Sequence, residues 1–301
     1  MFEESNQYLT FLFLLFFLFV LFLIQKYTTP VPKEAFIQEH PFIIKRNENT
    51  YDEFSSKIYD QIFYPEKESQ YIIENIFQMT KPSPAFTTLL DIGCGTGELL
   101  NTLQKKGFNN VYGLEKSTAM SAECLSKYPS LKVKLGDAME PMIFEKSTFT
   151  HIFCIGMTIY ELKDKIAFFR NCYHWLKPNG VLLLHLVNRD NFFAIPAFDS
   201  VFSDSSDGKE RITNTEIDFN DFKYKSSYDF SKKDVVVFTE TFVDSVSAKV
   251  RKNERTLHMS NELETTLYDA QYCGFIVTGQ INYSKFNGDE NQFIFMLERP
   301  H

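Results

Sequence analysis

The stretch Leu89-Leu90-Asp91-Ile92-Gly93-Cys94-Gly95-Thr96-Gly97-Glu98-Leu99-Leu100 decides the fold. Its apolar start reads as a buried strand, its glycines as a tight turn, and Glu98-Leu99-Leu100 as the start of a helix. Glycine has no Cβ and tolerates φ > 0, so a ligand can approach the backbone of such a turn. The helix behind it offers unpaired N–H groups and the positive end of its dipole. The spacing is G-x-G-x-G with Asp91 two residues before the first glycine. That differs from the G-x-G-x-x-G of pyrophosphate-binding folds. A carboxylate at the strand end can pair with a cationic group on the ligand.

Further signals follow in order. Val111-Tyr112-Gly113-Leu114-Glu115 reads as a second strand ending in an acid. In open α/β sheets an acid about 20 residues after the glycine turn bonds ribose hydroxyls. Lys116 and Ser117 come next, then Val133-Lys134-Leu135-Gly136-Asp137-Ala138-Met139. Phe149 to Gly156 is a fourth strand. Leu176-Lys177-Pro178-Asn179-Gly180 is a helix stop and turn ahead of the apolar run Val181 to Leu184. Any one of these signals is ordinary α/β punctuation; their order and spacing together carry the reading.

This series resembles the class I S-adenosylmethionine (SAM)-dependent methyltransferases. The resemblance implies an α/β, Rossmann-like, seven-stranded methyltransferase fold and SAM as cofactor. It places the methionine end of SAM on Asp91, Gly93, Cys94, Gly95 and Gly97, and the ribose on Glu115 beside Lys116. Asp137 then accepts from the adenine amine, Ala138 and Met139 flank the ring, and Ile155 also faces the cofactor. No metal is implied.

The chain has 301 residues, 44% of them hydrophobic, enough for a sizeable core. Its net charge of −8 argues against a nucleic-acid partner, which needs a basic face. The five cysteines form no paired framework and read as reduced thiols rather than disulfides or zinc ligands.

Residues 8–24, YLTFLFLLFFLFVLFLI, carry no charge and are apolar on every side. As a helix at about 1.5 Å per residue they span about 25 Å, short but sufficient for a membrane. A cleaved signal peptide is the alternative, but Glu3 and Glu4 precede the run and no small-residue cleavage site follows. Residues 1–27 are therefore expected to hold a single transmembrane helix. Lys26, Lys33, Lys45 and Arg46 follow it and no Lys or Arg precedes it, which places the catalytic domain on the cytosolic side.

Residues 28–50 read as a proline-containing linker and 51–301 as the methyltransferase domain. Two helices open that domain, Lys57–Tyr64 and Ser69–Gln78. An antiparallel β insertion is expected at about 188–258, with strands at Glu216–Phe230, Val235–Val243 and Ala248–His258. A helix at Asn261–Gln271 and strands at Phe275–Tyr283 and Gln292–Leu297 end the chain.

The insertion narrows the resemblance to small-molecule members, closest to N-methyltransferases of amino sugars. Tyr51 and Tyr59 match tyrosines that close over the cofactor there. Thr239-Glu240-Thr241-Phe242 and Glu254-Arg255-Thr256-Leu257 resemble lid strands. Such an insertion covers the acceptor and is often a homodimer contact. Those relatives carry a catalytic histidine after the fourth strand; here Thr158 stands nearest. Thr158 and Tyr160 after the fourth strand, and His185 ending the fifth, are the candidate catalytic residues. His185 is the best available base by its pKa range.

The expected activity is methyl transfer to N or O of a small-molecule or lipid-linked acceptor at a membrane. Two alternatives are a nicotinamide oxidoreductase, disfavoured by the glycine spacing, and an inactive methyltransferase-fold interaction module. Retention of Asp91, Glu115 and Asp137 argues against the latter.

Overall fold

In this computed structural model the described residues are 11–21, 38–63, 65–193, 213–260 and 262–301. Residues 11–21 form a helix, α1, whose Phe and Leu side chains stand exposed. The outer parts of the expected span, 8–10 and 22–24, lie outside the described residues. Among the described residues no helix is long and apolar enough to cross a membrane.

The body is built on a seven-stranded sheet. It contains β2 (Leu89–Ile92), β3 (Val111–Glu115), β4 (Lys132–Leu135), β5 (Phe149–Cys154), β6 (Leu176–Val187), β11 (Ile276–Asn282) and β12 (Gln292–Glu298). Their spatial order is β11-β12-β6-β5-β2-β3-β4. The first five strands run parallel, and β12 is antiparallel to both β6 and β11. The chain moves outward from β2 through β3 to β4, then returns to the other side of β2 with β5. This reversal leaves a crevice at the carboxyl ends of β2 and β5, where open α/β sheets bind ligands.

The central strands are apolar because helices cover both faces. On one face, α3 (Pro65–Thr80) and α4 (Glu98–Lys105) pack Ile72, Ile73, Ile76, Leu100 and Leu103 against Leu89 and Leu183. On the other, α6 (Lys165–Trp175) and α7 (Leu263–Tyr272) bring Phe168, Phe169, Cys172 and Ala270 against Ile152 and Leu182. The helix α5 (Thr118–Lys127) follows β3, and Ser117 caps it by accepting from the Met120 N–H at 3.1 Å.

A second, five-stranded sheet stands over the crevice in the order β1-β10-β9-β8-β7. Its strands are β1 (Phe42–Arg46), β7 (Asn214–Asp218), β8 (Phe222–Asp229), β9 (Val236–Asp244) and β10 (Val250–Leu257). β9 and β10 alternate buried and half-buried residues, the pattern of a sheet with one packed face. That face meets α2 (Glu53–Phe63) through Ile58, Ile62, Tyr224 and Phe242.

Three readings of the sequence change here. The single strand expected at Glu216–Phe230 is a hairpin of β7 and β8, broken where Phe219 N–H bonds Phe222 O at 2.9 Å. Asn220 and Asp221, good turn formers, sit at the break. Part of the expected linker is β1, paired parallel to β10 with Phe42 opposite Val250. As an edge strand its residues are exposed or half-buried, so it carries no strong alternation. The expected stop at Leu176–Gly180 is also absorbed into the long β6, with Asn179 at φ 59° in its irregular start.

Candidate functional site

The crevice is a cleft of about 1170 Å³, walled by the glycine turn, the ends of β3 to β6, α2, α3 and the second sheet. The turn is fixed from below: the N–H groups of Gly93 and Cys94 both donate to Leu114 O, at 2.8 and 3.3 Å. Gly93 has φ 70°, and a Cβ there would stand 3.0 Å from the Thr158 methyl. Gly95 has φ 53° and only a distant neighbour, so its backbone is open to a ligand.

Gly97 behaves differently. It starts α4 at φ 87°, and a Cβ there would lie 2.3 Å from Cys124 Sγ. It does not line the cleft. Expected as a cofactor contact, it is required instead by the fit of α4 on α5.

Asp91, Gly93, Cys94, Gly95, Glu115, Lys116, Asp137, Ala138, Met139 and Ile155 all line one cleft, as do Tyr51 and Tyr59. Asp91 is 5% exposed and has no side-chain hydrogen bond or ion pair among the described residues. Burial, and then the nearby Glu115 carboxylate, push its pKa well up. Glu115 accepts from Gly95 N–H at 2.9 Å and Ser117 N–H at 2.7 Å. Burial raises its pKa, opposed by those backbone donors. Two carboxylates with no cation between them fit a ligand that brings one, and Glu115 keeps lone pairs for hydroxyl donors. Asp137 accepts from Met139 N–H at 2.9 Å and pairs with Lys116 at 3.0 Å, so the tip of β4 is ordered before any ligand arrives.

One wall of the cleft carries a polar cluster. The Tyr51 hydroxyl donates to Glu161 and accepts from Arg255. Arg255 also donates to Glu240 at 3.1 Å and stacks over Tyr51 and Phe238. Burial and the Glu161 and Tyr59 charges raise the Tyr51 pKa against the pull of Arg255. Beneath it, Asp60 of α2 accepts from Thr96 at 2.6 Å and pairs with Lys127 at 2.7 Å, which straps α2 across the glycine turn. Sequence reasoning did not assign roles to Asp60, Glu161, Glu240 or Arg255. Glu240 and Arg255 lay in quoted lid strands, but only the folded sheet brings them to Tyr51.

The candidate catalytic residues separate. Thr158 lines the cleft, with its hydroxyl on Ile155 O at 2.7 Å. It follows Gly156 and Met157, both in the left-handed region at φ 64° and 67°. A methionine held there marks a bend that the surroundings enforce. Tyr160 is turned away. It is 3% exposed, does not line the cleft, and its hydroxyl accepts from Val187 N–H at 2.9 Å. Its expected role toward an acceptor gives way to a buried brace between β5 and β6.

His185 does line the cleft, although only 3% exposed. Its ring stacks on Tyr283 with centroids 4.6 Å apart, and Nε2 lies 3.2 Å from Gln292 Oε1. Burial lowers its pKa to about 4. Next to it the Glu68 carboxylate accepts from the Tyr283 hydroxyl at 3.0 Å. Arg189, shortly after His185, donates to Phe230 O and Lys232 O and ties β6 to the second sheet.

Residues 89–180 match the family described as methyltransferase domain. A curated relative, malonyl-[acyl-carrier protein] O-methyltransferase from Halalkalibacterium halodurans, is 26% identical over 167 residues, 51% of this chain. The match covers 59% of that protein. A SAM-dependent methyltransferase from Clostridium acetobutylicum superposes over 82% of this chain and 98% of its own, with TM-score 0.61 and 18% identity. A SAM-bound amino pentose methyltransferase from Micromonospora echinaspora matches 78% of this chain and 91% of its own (TM-score 0.54, 20% identity). A sugar N-methyltransferase from Streptoalloteichus matches 81% and 91% (TM-score 0.55, 18% identity). Residues 89–180 thus match a methyltransferase domain, and the chain shares the fold of these SAM-dependent methyltransferases.

Proposed function

We propose that the protein methylates a nitrogen or oxygen atom of a small-molecule or lipid-linked acceptor, from a membrane to which residues 8–24 tether it. One observation carries this reading. The carboxylate-lined glycine turn and a second polar wall, built from His185, Glu68 and Gln292, belong to the same cleft.

SAM, when bound, supplies a methyl group on a sulfonium. Asp91 and the open Gly95 backbone would hold its methionine end, Glu115 its ribose, and Asp137, Ala138 and Met139 its adenine. Tyr51, Arg255 and Glu161 form a bonded polar wall, and Tyr228, Phe238 and Leu257 give the second sheet an apolar cleft face. An apolar cover of this kind would help hold an acceptor in line with the methyl and reduce bulk water. An amine acceptor needs only an exposed lone pair, whereas a hydroxyl also needs a base. Acceptor chemistry on the M. echinaspora and Streptoalloteichus neighbours favours amino sugars; the exposed apolar face of α1 favours an acceptor at a membrane. Basic residues after residue 24 support a cytosolic side for the domain.

Calorimetric titration of the full chain with SAM and its demethylated product tests the cofactor half. Micromolar binding that disappears in Asp91→Ala and Glu115→Ala supports it, and no binding by the folded parent leaves the inactive interaction module. Alkaline carbonate extraction tests the tether: the full chain stays with the membrane pellet, and its release into the supernatant refutes it.

A further inference from the structure

The cleft wall opposite the glycine turn contains a chain of hydrogen bonds that no step above uses. Asp289 is fully buried at the loop between α8 (Ser284–Asn287) and β12. Its carboxylate accepts from Asn291 N–H at 2.9 Å and Phe193 N–H at 2.7 Å. It also accepts from the Gln292 amide Nε2 at 2.7 Å, and the same nitrogen reaches Phe193 O at 3.3 Å. Both neighbours of Nε2 are thus acceptors. Turning the amide over would set its oxygen against a carboxylate and a carbonyl, so its orientation is fixed by charge.

Gln292 Oε1 therefore faces His185 Nε2, at 3.2 Å, as an acceptor only. Nε2 must carry the imidazole proton. Nδ1 is left as a bare lone pair, buried and without a partner among the described residues. Tyr283 covers one ring face, and Gln292 takes the Nε2 edge. His185 still lines the cleft. Glu68, half-buried on the same wall, offers a second acceptor. A buried unpaired acceptor costs stability unless something satisfies it, and the cleft is where a donor can come from.

Building on the methyltransferase reading, we propose that Asp289 and Gln292 are positioning residues that lock His185 as its Nε2–H tautomer. Its Nδ1 then receives an N–H or O–H of the acceptor molecule. This wall selects acceptors that carry a polar hydrogen on the atom to be methylated, and it rejects fully substituted amines and ethers. When Nδ1 takes that proton, His185 becomes imidazolium and the acceptor keeps the freed electron pair for its new bond to carbon.

The test reads the tautomer directly, by ¹⁵N NMR of the full chain labelled on histidine, near neutral pH and without SAM. His185→Asn identifies the signal. The parent is expected to show a single Nε2–H tautomer, and Gln292→Met a mixture of both. Should Gln292→Met fail to fold, Gln292→Asn breaks the same bond with a shorter side chain. Methylammonium chloride or methanol is expected to shift the Nδ1 resonance in the parent, and tetramethylammonium chloride to leave it in place. An Nδ1–H or charged His185 in the parent, an unchanged tautomer in the Gln292 variants, or silence toward both donors overturns the proposal. SAM binding is measured separately, so failure of the methyltransferase reading is told apart from failure of this lock.

Discussion

Replacing Asp91 with Asn should weaken the cofactor and strengthen the empty protein. The carboxylate is buried beside Glu115 with no cation among the described residues. Its folded pKa lies above the unfolded value, so ionising it costs the fold. That cost is absent below the unfolded carboxylate range and grows as pH rises through the folded pKa. Near pH 7 the parent bears at least part of it, and the isosteric Asn does not. A gain of about 1 kcal/mol would raise the midpoint of this domain by roughly 2–4 °C. Toward SAM the change runs the other way. Losing a charge-assisted hydrogen bond costs about 1.5–3 kcal/mol, or roughly 10- to 150-fold in affinity. Thermal melting followed by the single, buried Trp175 reads the first effect and calorimetry the second. The melting difference should shrink on acidification as Asp91 protonates. A less stable Asp91→Asn protein at neutral pH, or one that binds SAM as tightly as the parent, refutes the reasoning.

Other outcomes follow from the same geometry. Gly97→Ala should destabilise the fold by about 2–5 kcal/mol, combining a left-handed Cβ penalty with a collision on Cys124; chemical denaturation measures it. Tyr160→Phe should cost about 1–3 kcal/mol by stranding the Val187 N–H, while SAM affinity measured by calorimetry stays at the parent value. His151 and His185 both have folded pKa values lowered to about 4 by burial, so the unfolded chain binds their protons first. Stability is full above pH ~6.5 and falls toward pH 4, by about 3 kcal/mol per histidine. Denaturation midpoints across that range check the slope, and His151→Gln should flatten it.

The centre of the parallel sheet was legible because β2, β3, β5 and β6 are largely apolar runs followed by a polar or glycine turn, whereas the edge strand β4 is half lysine and mostly exposed. Leu89–Gly97 and Phe149–Gly156 need no tertiary context to be read. β1 was not legible: an edge strand leaves most of its residues exposed, so its sequence looks like linker. Nor was the split between β7 and β8, since a short hairpin turn interrupts no apolar pattern. The residues that line the cleft beside the turn were readable because their spacing is local. The Tyr51–Glu161–Arg255–Glu240 cluster draws on four separate segments, which only folding assembles. Tyr160 sits at the right strand end, yet its hydroxyl is drawn inward by the unpaired Val187 N–H. His185 was found by position alone, while its partner Gln292 starts the antiparallel β12 and Asp289, which holds Gln292, lies in the loop before it, both more than a hundred residues later.

A crystal structure of the chain soaked with the demethylated product of SAM tests the central claim most directly. The account predicts its ammonium on Asp91, its ribose hydroxyls on Glu115 and its adenine amine on Asp137, with Tyr51 above it. Product bound elsewhere, or held in the cleft without contact to Asp91 and Glu115, would contradict it.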